Sequence, residues 1–249
     1  MVSGKYSALS GAIAHEQSMA NITANLANVN TVGYRKTSVS FESLLKGAQQ
    51  TAEAKGINYS RIKGNFSDFT PGPMTQTGNP LDMAINGDGF FKLQGPEGTL
   101  YTRRGDFSLD ETGNLQTSNG LPVLNEANGP INIPDTITSQ ISVNSLGEIS
   151  VMARDGGLSV IGRVGVVTVN DTSKLKREAD TTFSLQEGGQ ETATVEPMLT
   201  IGSLETSNVN MTEQMTLMIS SLRTFETYHK VLKSYSELGQ KQDELGSLA

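Results

Sequence analysis

The sequence predicts a mainly β protein with an α-helix at each end. Three observations support this fold class. Apolar and small residues recur every three or four positions near the start of the chain and again near its end, which is the spacing of one helix face. From about Tyr59 to Thr200 apolar and polar residues alternate instead, and Gly, Asn, Asp and Thr are frequent. Such a pattern is typical of short strands joined by turns, so we expect a central antiparallel β barrel or sandwich.

The first helix is predicted by a stripe of residues between Ser3 and Val29. Its members are Ala8, Ala12, His15, Met19, Ile22, Leu26 and Val29. A helix of this length would extend about 40 Å. Because the stripe consists largely of small residues, the helix alone would be marginal in water.

The segment "NLANVNTVGYRK", Asn25 to Lys36, follows this stripe. Gly33 accepts the positive φ that a helix end or a tight turn requires. For Asn25 and Asn28 two roles stay open. They either end the helix or form hydrogen bonds between helices that set the register, as buried Asn does in coiled coils.

The central region contains several strand and turn signals. "MAINGDGFFKLQ" and "TLYTRRGDFSLD" predict two strands around the turn "GPEG", and "ETGN" and "SLGE" predict further turns. The most apolar segment, "LSVIGRVGVVTV", predicts a strand in the middle of the sheet.

The second helix is predicted from Asn210 onward, where Asn210 and Glu213 form a plausible N-terminal cap. Two adjacent apolar stripes allow it to contact more than one neighbour. The first stripe is Met211, Met215, Met218, Leu222, Phe225, His229 and Leu232, and the second is Tyr228, Val231, Tyr235, Leu238, Gln242 and Leu245. These changes of period divide the chain into an N-terminal helical segment (1–45), an extended linker (46–80), a central β domain (81–200) and a C-terminal helical segment (201–249).

Composition excludes several classes of partner. The net charge of −7 and the lack of a long basic run argue against nucleic acid. There is no apolar stretch of about 18 residues, so we expect no membrane insertion, and the first fifteen residues lack the apolar core of a secretory signal. Without Cys, the chain has neither disulfides nor thiolate metal sites.

Candidate reaction sites are weak. Two histidines, His15 and His229, are too few for a metal site, and "NGDG" at 86–89 lacks the remaining residues of a calcium or phosphate loop. Acidic pairs such as Asp82 with Asp88, or Asp106 with Asp110, are common in acidic β domains. We therefore expect no enzyme activity, no metal and no cofactor. A competing class is a β-domain adhesin with oligomerising helices, although the chain has no Trp to form an aromatic binding platform.

Four blocks of sequence resemble, in order, the landmarks of flagellar basal-body rod and hook proteins. They are "NLANVNTVGYRK", "PLDMAINGDGFFKL", "YTRRGDFSLDETGNL" and "ETSNVNMTEQMTLMISSLRTFE". The resemblance implies a structural, torque-transmitting subunit of the periplasm-spanning rod, with an inner layer of paired terminal helices and an outer β domain. The short connection between first helix and β core is most similar to the proximal, F-type subunit, with a distal rod or hook-type subunit as the alternative.

The resemblance also implies the partners, which are other proximal and distal rod subunits and the flagellar type III export apparatus. Export by that apparatus would need no cleaved signal peptide. "FESLL" resembles the short element that export gates recognise, with Phe41 and Leu45 as its apolar positions. A helix turn that packs Phe41 and Leu45 is at least as good an explanation of this weak motif.

We expect the terminal helices to pair as a coiled coil when subunits assemble, because thin apolar stripes stabilise a helix mainly through its neighbours. The predicted assembly interface is Met19, Ile22, Asn25, Leu26, Asn28, Val29, Met211, Met215, Met218, Leu222, Phe225, Leu232, Tyr235 and Leu238.

Overall fold

A computed structural model describes residues 2–46, 57–133, 141–152, 157–179, 181–194 and 196–246. Two helices, α1 (Val2–Ala27) and α2 (Met211–Gly246), flank the strands and one short 3-10 helix, Thr172–Lys174. The strands are β1 (Thr37–Lys46), β2 (Ile57–Ser67), β3 (Met74–Gln76), β4 (Met83–Ile85), β5 (Phe90–Gln94), β6 (Thr99–Thr102), β7 (Phe107–Leu109), β8 (Leu115–Thr117), β9 (Ile141–Val143), β10 (Glu148–Met152), β11 (Leu158–Arg163), β12 (Val166–Val169), β13 (Leu175–Ala179), β14 (Thr182–Leu185), β15 (Glu191–Ala193), β16 (Leu199–Ile201) and β17 (Ser203–Glu205). The prediction of a mainly β protein with a helix at each end is confirmed.

The chain forms two compact units. The helical unit comprises residues 1–27, 37–68 and 209–249, and the β unit comprises residues 28–36 and 69–208. No helix in the part of the chain that the structure describes is long and apolar enough to cross a membrane.

The first two predicted segments, 1–45 and 46–80, differ from the observed elements. Helix α1 ends at Ala27, and the strands β1 and β2 form an antiparallel hairpin with a register shift at Ser40 and Phe41. Alternating residues such as Val39 and Phe41 favour an extended strand over a helix. Residues 28–36 belong to the β unit, so the signature segment leaves the helical unit directly after α1.

Small residues allow close packing in the helical unit. Ala8, Ala12 and Ala14 of α1 are buried, and a Cβ atom added to Gly11 would lie 2.7 Å from the ring of Tyr228 on α2. Helix α1 also contacts β2. The two helices therefore pack together within one chain, whereas the sequence predicts their pairing on assembly; a coiled-coil supercoil stays a prediction.

The β unit is built on an open sheet of six strands in the order β13-β14-β6-β5-β12-β15. Smaller sheets have the orders β11-β10-β9, β16-β4, β17-β3 and β7-β8. Of the predicted barrel or sandwich, the barrel is not found among the described strands, because β13 and β15 remain the two edges of the large sheet. Alternation along a strand specifies a buried face, but closure requires pairing of the first and last strands, which alternation does not specify.

Both faces of the large sheet are covered. Phe91 and Leu93 point into the larger core with Leu115 and Ile149, while the smaller core contains Phe90, Tyr101, Val167, Leu175 and Phe183. All are buried, and this alternation along β5 explains why Phe90 and Phe91 are both apolar although they lie on opposite faces of the sheet.

The segment predicted as one central strand forms two strands. Strand β12 lies inside the large sheet, but β11 is an edge strand in which Leu158 and Val160 are 71% and 63% exposed. Between them, Gly165 passes so close to Asn125 that an added Cβ would lie 2.7 Å from its carbonyl oxygen. The chain changes sheets at this point.

Candidate assembly surfaces

Asn25 fixes the junction of α1, α2 and β1 inside the helical unit. Its side chain is buried, with Oδ1 accepting from the Thr37 N–H at 2.9 Å and Nδ2 donating to the Thr37 carbonyl at 2.8 Å. Nδ2 also lies 3.4 Å from Oε1 of Gln214 on α2. A side chain that pairs with a strand end in both directions therefore sets where β1 starts relative to the helices.

Asn28 has a different position, in the turn that begins the β unit. Its Oδ1 accepts from the Thr31 hydroxyl at 3.0 Å, and its carbonyl accepts from the Thr31 N–H at 3.2 Å. Gly33 follows with φ of 68°, and an added Cβ would lie 2.4 Å from the backbone nitrogen of Arg104. Only glycine fits this close approach.

Arg35 and Arg103 form a buried ionic cluster with Glu205, which we call the Glu205 cluster. The carboxylate of Glu205 accepts from Arg35 Nη2 at 2.8 Å, from Arg103 Nη1 at 3.4 Å and from the Gly72 N–H at 2.8 Å. The side chains of Arg35 and Glu205 are fully buried. Burial lowers the pKa of Arg103 to about 10 even though the charge of Glu205 opposes this shift.

The Glu205 cluster joins three of the sequence blocks. Arg35 comes from "NTVGYRK", Arg103 from "YTRRGDF" and Glu205 from the strand that precedes α2. The Glu205 carbonyl also accepts from the Gly33 N–H at 2.8 Å. Sequence patterns alone missed this cluster, because its members lie 170 and 102 residues apart and have no common period.

Helix α1 exposes a stripe that the predicted interface does not include. Tyr6, Leu9 and Ile13 are 51%, 42% and 46% exposed, and their spacing places them on one face. We call them the α1 outer stripe. The spacing was visible in the sequence, but the neighbouring stripe of small residues fitted the helical period as well.

Helix α2 separates the predicted residues into two faces. The face toward α1 contains buried Gln214 and Ser221 and half-buried side chains at intervals of three and four, namely Met218, Phe225, Tyr228, Leu232 and Tyr235. On the neighbouring face, turned by roughly 100°, Met211, Met215, Ile219 and Leu222 are 40–54% exposed. We call these four the α2 outer stripe.

The remaining predicted interface residues take several environments. Ile22 is buried, Met19, Leu26 and Val29 are half-buried, and Leu238 is exposed. Phe41 is 48% exposed with its ring centroid 6.0 Å from that of His15, whereas the side chain of Leu45 lies outside the described part of the chain.

The weak reaction-site candidates have local hydrogen-bonding roles. The Gly87 carbonyl accepts from Arg103, Asp82 accepts from Thr77 and Asn79, and Asp106 pairs with Arg104. His15 packs on Tyr228 at 5.5 Å and His229 on Phe225 at 4.5 Å, so the two histidines have different ring neighbours.

A β unit connected to two long helices with exposed apolar stripes has the architecture of an axial structural subunit. Three family models match the chain. Residues 6–35 match the model for flagella basal body rod proteins, residues 84–151 the D1 domain of the flagellar hook proteins FlgE/F/G, and residues 201–245 the C-terminal part of the flagellar basal body rod FlgEFG proteins.

Similar proteins cover almost the whole chain. The flagellar basal-body rod protein FlgG of Bacillus subtilis is 34% identical over 97% of this chain and 98% of its own length. FlgF of Escherichia coli is 33% identical over 98% of both chains, and FlgF of Caulobacter vibrioides is 31% identical over 90% and 89%. This protein belongs to the flagellar basal-body rod family, F or G type, and the resemblance of its four sequence blocks is confirmed.

Proposed function

We propose that this protein is a proximal, F-type subunit of the flagellar basal-body rod that joins other rod subunits through its terminal helices. The observation that carries the assembly mechanism is the pair of exposed outer stripes on α1 and α2. The stripes lie on helices whose other faces already pack within the chain. Their apolar area is therefore available to neighbouring subunits in a helical axial tube that transmits torque.

The energy of this contact supports conditional assembly. A fully buried large apolar side chain contributes about 1.5–3 kcal/mol. The four residues of the α2 outer stripe are already about half buried, so their complete burial would contribute roughly 3–6 kcal/mol before ordering costs. When two different stripes meet head to tail and the rotation does not close, the result is a filament.

The predicted interface residues divide accordingly. Met211, Met215, Leu222 and Leu238 are exposed and are proposed to contact other subunits. Asn25, Ile22, Phe225, Leu232 and Tyr235 lie on faces that pack within the chain, so we assign them to shaping the helix pair. The remaining residues are half-buried, and we propose that they contribute to packing within the chain or to contacts with other subunits. They are Met19, Leu26, Asn28, Val29 and Met218.

A substitution on the α2 outer stripe tests this assignment. Leu222→Asp should abolish incorporation into the rod and motility, because a carboxylate would be buried at the contact. The unfolding free energy of the isolated protein should change by less than about 1 kcal/mol, because Leu222 is 40% exposed. Ser220→Asp, on an exposed position of the same helix facing away from this stripe, is the matched control and should assemble. A stability loss in Leu222→Asp as large as a core mutation would place Leu222 in the chain's own core instead.

The F type is supported by the short connection "KGAQQTAEAKGINYSRIKGNFSDFTPGPMTQTGN" between α1 and the β core. The distal, G type is the second candidate, since FlgG of Bacillus subtilis is 34% identical to this chain and FlgF of Escherichia coli is 33% identical. Electron microscopy of isolated basal bodies with a tagged subunit separates the two. A tag at the membrane end of the rod supports the proximal type, and a tag along the outer end supports the distal type.

Delivery by the flagellar type III export apparatus is part of the proposal, with Phe41 and Leu45 as the recognised element. Phe41→Ala should reduce secretion of the subunit. Phe66→Ala is the matched control, because Phe66 is a similarly exposed aromatic residue of the same hairpin. Equal secretion of both variants would assign Phe41 to its packing against His15.

A further inference from the structure

A lysine, an amide and a carboxylate converge at one end of the large sheet of the β unit. Lys92 of β5 is 4% exposed, and its Nζ donates to Oδ1 of Asn128 and, at 3.0 Å, to Oε1 of Glu191. Together with Tyr101 these residues form what we call the Lys92 cluster. The aliphatic part of Lys92 is buried, while Asn128 lies at the surface and Glu191 is one-third exposed.

Both oxygens of Glu191 are held in place. Tyr101, the partner of Lys92 across β5 and β6, donates its hydroxyl to Oε2 at 2.6 Å. Burial raises the pKa of Glu191, but the hydrogen bonds from Tyr101 and Lys92 outweigh it and leave the pKa below its ordinary value. Glu191 is thus an oriented, ionised carboxylate, and the 3.0 Å distance from its Oε1 to Nζ places it as a proton acceptor, although the lowered pKa makes it a weaker base than an ordinary Glu.

Asn128 has an unusual backbone conformation. Among the described residues other than glycine it alone has a positive φ, of 63°. Its N–H donates to the Asn125 carbonyl at 3.1 Å, and the next N–H, of Gly129, donates to Asn125 Oδ1 at 2.9 Å. A left-handed residue in a tight turn costs conformational energy, and here the turn places the amide against the amine.

We propose that Lys92 and Asn128 form an intramolecular isopeptide bond, with Glu191 as the proton acceptor. Once it has given up a proton, a lysine amine is an effective nucleophile, and fixed proximity removes much of the entropic barrier. Formation of this bond requires no metal, oxidant or cofactor. The inference does not depend on the proposed function.

The reaction balances as follows. The Lys92 ammonium gives one proton to Glu191, and the Nζ lone pair forms a bond with Cγ of Asn128. A second Nζ proton moves to Nδ2, directly or through Glu191, and the Cγ–Nδ2 bond breaks. Ammonia takes up the first proton and leaves as ammonium through the exposed side of the cluster.

The bond would connect β5 to the turn before Pro130 and close a covalent loop across 36 residue positions. Strands β6, β7 and β8 lie inside that loop. Cross-linking restricts the unfolded chain, as a disulfide does. A subunit without Cys would thereby have a covalent brace in its β unit.

The mass of the intact full-length protein under denaturing conditions tests the proposal. We expect a mass about 17 Da below that of the sequence, the loss of one ammonia. Tryptic mapping should join the peptide that contains Lys92 to the one that contains Asn128, with no cleavage after Lys92. A mass equal to that of the sequence would overturn the proposal.

The chain also offers another source of the same mass loss, since Asn86, Asn119 and Asn128 each precede a glycine and can form a succinimide. Hydroxylamine cleaves the chain at a succinimide but leaves an isopeptide bond intact. A mass deficit that maps to one linear peptide and disappears with hydroxylamine would overturn the proposal.

Two variants locate the chemistry. Asn128→Gly keeps the left-handed backbone but removes the amide, and Glu191→Gln removes the proton acceptor; both should have the full sequence mass. Lys176→Met, which removes an exposed lysine paired with Glu178 at 3.1 Å, should retain the deficit. Persistence of the deficit in Asn128→Gly would contradict the assignment of the bond to Asn128.

Discussion

The helical unit and the β unit bury different kinds of residue. The β unit encloses large side chains such as Phe91, Phe183 and Leu115 completely. The helical unit buries alanines, and leaves Ile13 and Leu222 nearly half exposed. Burial of apolar area is the main stabilising term in folding. The β unit thus completes its core with its own chain, while the helical unit leaves apolar area uncovered, which we propose for contacts with other subunits.

The two units also differ in the polar residues that they bury. The β unit pairs buried charges in the Glu205 cluster, which fixes three distant segments. The helical unit uses the neutral Asn25, which binds the ends of neighbouring elements. Loss of an ionic partner should therefore cost more than loss of an amide.

The largest effect is expected for Glu205→Ala. Removal of the carboxylate leaves Arg35 and Arg103 buried without their counter-ion, which typically costs about 3–5 kcal/mol. Urea unfolding of the isolated protein, followed by hydrogen exchange at Phe91 and Leu115, measures the loss in the β unit. Asp106→Ala is the matched control, because its pair with Arg104 is partly exposed and should contribute about 0–1 kcal/mol. Equal losses in both variants would remove the distinction between buried and exposed pairs.

A smaller effect is expected for Asn25→Ala. The N–H and carbonyl of Thr37 lose their partner, and an unsatisfied buried group costs about 1–3 kcal/mol. Faster exchange of the Thr37 amide should report this loss in the helical unit, with protection of the β unit unchanged. Asn21→Ala, one turn earlier and half-buried, should leave Thr37 protected. If both variants exchange alike, Asn25 does not define the start of β1.

A surface turn of the β unit should contribute less, and its contribution should be lost in acid. The Asn114 N–H, followed by the hydrogen bonds of Thr112, lowers the pKa of Asp110 to about 2. A pKa below the unfolded value of about 3.9 contributes stability that is present above pH 4 and is lost as the pH falls through about 2. NMR titration of Asp110 and the acid limb of the stability curve measure this contribution. Asp110→Asn should flatten that part of the curve, and a titration midpoint near 4 in the folded protein would contradict it.

The smallest effect on folding is expected for Ile13→Ser in the α1 outer stripe. Ile13 is 46% exposed, and substitutions at such positions usually change stability by less than about 0.5 kcal/mol. Thermal unfolding of the isolated protein should show little change, whereas incorporation into the rod should fall. Ile22→Ser, at a buried position of the same helix, should instead destabilise the chain. A variant Ile13→Ser that assembles normally would exclude the α1 outer stripe from the subunit contact.

The sequence patterns predicted the helices and strands better than the contacts that these elements make. The period of three and four residues located α1 and α2, and alternation located the strands. The same patterns missed the β1–β2 hairpin, because its strands flank a long connection with few apolar residues. They also did not separate the two faces of α2, since exposed Met215 and half-buried Met218 both fit the helical spacing.

The local amino-acid sequence determined where helices, strands and turns form, because these elements depend on contacts within a few residues. It also determined the family, through four blocks of sequence in order. Tertiary structure alone decided that Arg35, Arg103 and Glu205 meet, that the large sheet stays open, and which helix face remains uncovered. Those features depend on residues that are distant in sequence and become neighbours only when the chain packs.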